Sequence, residues 1–154
     1  MALTSRESAG LLLFRRRGPS VEVLLVHPGG PIWARRDAGA WSIPKGEPEA
    51  GEDPLNAARR EVAEELGRSV DGRFIPLTPV RQPGGKLVQA WALEADFDAS
   101  SITSNTFSME WPPRSGRQQA FPEIDRAEWF PLDVAREKIL AGQTPLLDEL
   151  MRLA

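Results

Sequence analysis

The stretch from Gly46 to Gly67, GEPEAGEDPLNAARREVAEELG, decides how the rest of this 154-residue chain is read. Asp53 is an N-cap residue, Pro54 suits the first helical position and Gly67 supplies a stop. Between them Leu55, Ala58, Val62 and Leu66 recur at helical spacing, which predicts an amphipathic helix over 54–66. Its charges run against the helix dipole. Glu61, Glu64 and Glu65 crowd the last two turns, where free carbonyls are already partly negative, while Arg59 and Arg60 lie upstream. Glu61 and Glu65 project about 40° apart, beside the apolar stripe, and Glu64 about 60° beyond Glu61. Like charges so placed cost roughly a few tenths of a kcal/mol each, so discharging one, as in Glu64→Gln, is expected to stabilise the protein. Something of opposite charge should offset the cost. Nearby arginines could do so, and so could a hard divalent cation, since all-oxygen ligands suit Mg²⁺ or Mn²⁺.

Working outward, residues 9–16 and 21–27 read as two buried strands around a Gly18-Pro19-Ser20 turn. Residues 28–40 form a Gly/Pro-rich loop carrying Trp33, Arg35 and Arg36, and an extended piece, 41–44, leads into Lys45-Gly46. Downstream, 74–80 and 86–95 are predicted strands, 104–111 another, 112–122 a loop and 128–130 a last short strand. Helices are predicted over 132–140 and 145–152. With no repeat and no linker, this describes one α/β unit with its strands and helices mixed rather than strictly alternating.

Composition removes whole classes of chemistry. No cysteine means no disulfide framework, thiolate metal site or cysteine nucleophile, and one histidine, His27, cannot build a multi-histidine zinc centre. His27 is expected to be structural rather than catalytic. Apolar runs fall far short of the roughly 20 residues of a membrane span, and Met1–Glu7 lack the layout of a secretory leader. A cytoplasmic, membrane-free protein is expected. A net charge of −3 gives no overall basic field, so no stable nucleic-acid binding is expected. Sixteen of the 19 cationic residues are Arg, which favours planar, bidentate anion contacts. Chemistry must come from carboxylates, Arg, Lys and hydroxyls.

The pattern Gly46-x5-Glu52-x7-Arg60-Glu61-Val62-x-Glu64-Glu65-x-Gly67 resembles the Nudix box, the signature of the Nudix hydrolases, across residues 46–68. Arg68 stands where that family usually has an aliphatic residue, a departure that touches packing more than catalysis. The resemblance implies the Nudix fold, an α/β/α sandwich with a mixed β-sheet, as a single domain over 1–154. It also implies a Mg²⁺- or Mn²⁺-dependent hydrolase that opens a pyrophosphate bond by water attack. On that resemblance Glu61 and Glu65 are metal ligands, with Glu64 a ligand or water-mediated partner and the Gly46 carbonyl completing the set. Glu64, Glu65 and Glu123 are then the catalytic carboxylates, with Glu123 drawn from the late segment that runs into Trp129-Phe130. Glu52 and Arg60 are an orienting pair that locks the loop against the helix.

Lys45, beside Gly46, is placed to meet a phosphate as a point charge. Trp41 and Arg35 are further substrate-binding candidates, and stacking of a base could also fall to Trp33, Trp91, Phe107, Trp111 or Phe121. The nearest subfamily patterns point to dinucleoside polyphosphates or (d)NTPs. The adenine-stacking tyrosine of several diadenosine-polyphosphate hydrolases has no counterpart, because the chain has no Tyr. An ADP-ribose or nucleotide-sugar pyrophosphatase is the second reading, and a non-catalytic Nudix-fold binding module the third. Either a monomer or a homodimer is compatible with the sequence.

Overall fold

A computed structural model describes residues 7–153. Met1–Arg6, where most of the leader reading falls, lie outside the described residues, as does Ala154. Strands β1 (Glu7–Arg17) and β2 (Ser20–Pro28) form the expected hairpin, with Phe14 opposite Val23. Gly18 takes the left-handed conformation (φ 60°) that its tight turn requires. Then follow β3 (Lys45–Gly46), α1 (Pro54–Leu66), β4 (Ile75–Pro76), β5 (Val80–Arg81) and β6 (Leu87–Glu94). A second hairpin, β7 (Thr106–Glu110) and β8 (Gln118–Pro122), precedes β9 (Ile124–Pro131), α2 (Leu132–Lys138) and α3 (Thr144–Leu153).

The sheet is mixed. Its strands run β4-β6-β1-β2-β9, with β3 added beside β1 and β5 beside β6. β1 and β6 are parallel, with Leu11 opposite Trp91, and the other pairs are antiparallel. Alternation along β1 divides the core between the two faces. Ala9, Leu11 and Leu13 pack with Ala58, Val62 and Leu66 of α1. Leu12 and Phe14 face Ala135 of α2, Ile139, and Leu146, Leu147 and Leu150 of α3. This is the α/β/α sandwich that the resemblance implies. No helix of the described residues is long and apolar enough to cross a membrane.

The helix 54–66 forms where the sequence places it. The Asp53 side chain accepts from the Asn56 amide, and Gly67, at φ 71°, donates its N–H to the Ala63 carbonyl. Other boundaries moved. Of the predicted 74–80 strand only Ile75, Pro76 and Val80 pair, Val80 in a piece that continues to Arg81, and the ladder breaks between Pro76 and Pro79, which have no N–H to give it. Half of the predicted loop 112–122 is strand β8, whose run Gln118-Gln119-Ala120 is exposed on both faces and so has no alternation to read.

Candidate active site

The site forms where β3 meets the second half of α1. Gly10 of β1 admits the chain there: a Cβ on it would lie 2.5 Å from the Pro44 carbonyl oxygen. Gly46 pairs with Ala9 and abuts α1, and a Cβ on it would fall 2.0 Å from the Glu61 carboxyl carbon. Glycine at 46 is therefore what lets the Glu61 carboxylate reach the backbone. One residue earlier, the Lys45 N–H donates to Glu65 Oε2 at 3.0 Å.

Arg60 is the hub beside them. Its Nε and Nη2 donate to the two oxygens of Glu52, each at 2.9 Å, and its Nη1 donates to Glu61 Oε1 at 2.9 Å and to Glu64 Oε1 at 3.3 Å. Nη2 also reaches the Glu47 carbonyl at 3.3 Å, so one guanidinium joins the loop to two turns of the helix. The Arg60 side chain, with help from the Glu49 amide, holds Glu52 down at about 2.

These contacts divide the glutamates. Glu64 is exposed and turned to Arg60. Burial, then the charge of Glu61, pushes the Glu65 carboxyl up to about 8, although the Lys45 amide works against the rise. Burial also raises Glu61 despite the pull of Arg60. Glu123 sits between β8 and β9, its N–H donating to the Asn105 carbonyl and its own carbonyl accepting from the Gly29 N–H, and its charge is felt at both Glu61 and Glu65. Burial and neighbouring Lys86 lower Lys45. Among the described residues no three acidic or histidine side chains converge as a ready cage, since Arg60 draws off Glu64 and one oxygen of Glu61. The donors are nonetheless hard oxygens, and two crowded, desolvated carboxylates against a glycine backbone suit a hard divalent cation.

Two adjoining hollows open from here. One, of about 240 Å³, is lined by Trp33, Ser42, Ile43, Lys45, Glu65 and Ile124. The other, of about 390 Å³, shares Trp33 and Pro28 and is bounded by Ile32, Phe107, Met109 and Glu123. Sequence reasoning names Trp33 and Phe107 as stacking candidates but not Ile32 and Met109, nor the hollow that the four share. Gly29 and Gly30 create it: a Cβ on Gly30 would lie 2.9 Å from the Phe107 ring, and one on Gly29 would collide with Pro122. The alternation of half-buried Phe107 and Met109 in β7 is the signal that could have found it. A larger hollow of about 970 Å³, between the end of β1, Asp96–Ser100 and β9, holds none of the glutamates from 52 to 65.

Trp41 is a correction. It is 1% exposed, edge-on to His27 and Phe130, and its Nε1–H is given to Asp37, so no face is open to a base. The extended piece 41–44 is clamped on both sides, which turns the ring inward. Arg35 stands exposed on the loop and lines neither hollow beside Glu65. His27 is fully buried, with Nε2–H given to the Arg36 carbonyl at 2.6 Å and Nδ1 2.8 Å from Asp125. It ties the 28–40 loop to β9, in a structural position.

Comparison with known proteins matches residues 4–150 to the NUDIX domain. The chain belongs to the Nudix family. Nudix hydrolases generally use divalent metals. An RNA pyrophosphohydrolase from Caulobacter vibrioides is 48% identical over 54 residues, which cover 32% of this Nudix chain and 31% of that protein's length. Among solved structures, a binary complex of C. elegans Ap4A hydrolase superposes with a TM-score of 0.66 at 22% identity, covering 95% of this chain and 96% of that one. The NUDIX domain of Shewanella oneidensis NrtR, complexed with ADP ribose, gives 0.66 at 17% identity, with 98% and 88% covered. At these identities the structural likeness speaks for the Nudix fold.

Proposed function

We propose that residues 1–154 act as one Nudix domain that hydrolyses a pyrophosphate bond in nucleoside-polyphosphate-type substrates, dinucleoside polyphosphates or (d)NTPs, with Mg²⁺ or Mn²⁺. The observation that carries the reading is the desolvated pair Glu61 and Glu65, one packed on Gly46 and the other bonded to the Lys45 amide. Glu61, Glu65 and the Gly46 carbonyl hold the cation, and Glu64, exposed on Arg60, takes a water-mediated part. When bound, the cation neutralises charge on the phosphates and acidifies a water.

This chain's own residues do the rest. Lys45 offers a point charge to the phosphates. Glu52 and Arg60 fix the loop against α1. Glu123, on the rim shared with Phe107 and Met109, accepts the proton of the attacking water. Trp33 and Phe107 offer rings for a base to stack on.

The test is a product-release screen with Mg²⁺ over dinucleoside polyphosphates, dNTPs, ADP-ribose, sugar nucleotides and a 5′-polyphosphorylated RNA oligonucleotide. Turnover of the first two classes above the others supports this reading. Preference for ADP-ribose or a sugar nucleotide replaces it, and metal-independent or absent turnover removes it.

A further inference from the structure

Gln143, in the turn between α2 and α3, is 0% exposed, and every heavy polar atom of its side chain is used. Its Oε1 accepts from the Ile43 N–H at 3.0 Å. Its Nε2 donates to Ser42 Oγ at 3.0 Å and to Gln82 Oε1 at 2.8 Å. The backbone N–H of Ile43 can only donate, so it dictates which way round this amide sits.

Backbone hydrogen bonds hold this segment on either side of Ile43, at Trp41, Ser42 and Pro44, and leave the Ile43 amide to Gln143. Residues 41–44 join the sheet through single bridges, Val26 to Ser42 on one side and Trp41 to Ile139 on the other. Ser42 exchanges both of its backbone hydrogen bonds with Val26. In extended chain the next residue presents its N–H the opposite way, where β2 has nothing to offer, and Gln143 supplies the missing acceptor. Pro44 has no N–H, and its carbonyl takes the Leu11 amide at 3.2 Å. Two residues past Ile43, the Lys45 N–H meets Glu65, and the next residue, Gly46, meets Glu61. Gln143 also grips the 82–86 turn, which Gly142 lets come close: a Cβ there would lie 3.2 Å from the Gln82 Cα. Lys86, at the end of that turn, stands 3.7 Å from Glu47.

We propose that Gln143 is a positioning residue, which through Ile43 fixes the height on α1 at which Lys45 and Gly46 meet Glu65 and Glu61. The catalytic consequence rests on the function proposed above, whereas the positioning itself does not.

Amide hydrogen exchange and steady-state kinetics test it on one set of variants. In Gln143→Met, close in size and without hydrogen bonds, the Lys45 and Ile43 amides should exchange about tenfold faster while Leu12 and Leu24 keep their protection. With Mg²⁺, kcat should fall by about tenfold with KM nearly unchanged. Gln143→Asn, polar but one methylene short of Ile43, should act in the same direction and serves if the Met variant does not fold. Gln82→Met, which leaves the Gln143 bond to the Ile43 amide in place, should keep both exchange and kcat as in the wild type. Unchanged Lys45 exchange, uniform loss of protection across the core, or equal damage from Gln82→Met would overturn the proposal. Local loss of Lys45 protection in a protein that turns over no substrate leaves the positioning standing and sinks the hydrolase reading alone.

Discussion

The Lys45 backbone N–H donates to Glu65 Oε2 at 3.0 Å, so the residue beside Gly46 is bonded to the carboxylate that burial pushes highest. That hydrogen bond joins the short strand β3 to the end of α1, and with it the two halves of the candidate metal site. It also places the strain expected of an acidic helix end on a particular residue.

In the metal-free protein the Glu65 contribution to stability should fall as pH rises. Glu65 moves from 4.5 to about 8 on folding. Below 4.5 it is protonated in both states and has no effect. Between 4.5 and 8 the unfolded chain ionises while the folded one resists, so the unfolded state gains, and above about 8 the loss is complete. Melting temperatures of metal-free wild type should therefore drop between pH 5 and 8 more steeply than those of Glu65→Gln. Parallel curves would show that Glu65 is not the strained group. Glu64→Gln, by contrast, should gain nothing, since Glu64 is exposed and paired with Arg60. The sequence-based expectation of a stabilising change there moves one residue along.

Gly46→Ala should separate site geometry from stability. Its methyl would arrive 2.0 Å from the Glu61 carboxyl carbon, and Gly46 is not among the glycines at positive φ, so the cost falls on the carboxylate rather than the backbone. Turnover should fall by about 100-fold while the circular dichroism spectrum stays native. Activity within threefold of wild type would mean that Glu61 does not work from this position.

Arg60→Lys should be far from conservative. Lysine cannot reproduce the paired hydrogen bonds to Glu52 while also reaching Glu61, Glu64 and the Glu47 carbonyl. A loss of about 1–2 kcal/mol is expected, moderated by solvent at this partly exposed side chain. Glu52, held at about 2, contributes stability above its ordinary range near 4.5 and loses it as pH falls toward 2. Urea titrations at pH 7 and pH 3 should therefore differ by less in Arg60→Lys than in wild type, and equal differences would contradict the role of this pair.

How much of this could be read beforehand depended on how local the signal was. The α1 span came from its cap, its proline and its glycine, all within one stretch, and the Glu52–Arg60 pairing sits in the same stretch. Trp41 was misjudged because its burial comes from His27, Phe130 and Ile139, far away in sequence, and no local pattern encodes them. The hollow between Trp33 and Phe107 needed the β7–β8 hairpin to fold back on Gly29-Gly30, and half of that hairpin read as loop. Gln143 gives no sequence signal of any kind. It is one polar residue in a short turn, 100 positions from the amide it serves.

Trp33 and Trp41 should part ways on substitution. Trp33→Ala should raise KM for a nucleotide by about tenfold or more, the order of one lost stacking contact, and, because Trp33 is only half-buried against the core, should lower the melting temperature less than Trp41→Ala does. Trp41→Ala should cost about 3–5 kcal/mol of stability, as expected for a large core aromatic. Thermal melts and KM values for the two variants check both, and a KM effect confined to Trp41 would reverse the assignment.

The most direct test compares wild type with Glu65→Gln in Mg²⁺-dependent nucleotide release from a dinucleoside polyphosphate or a dNTP, with folding checked in parallel. Wild type should require the cation. Glu65→Gln should remain folded and lose turnover by about 100-fold or more at every Mg²⁺ concentration. A folded Glu65→Gln variant with wild-type turnover would contradict the account at its centre.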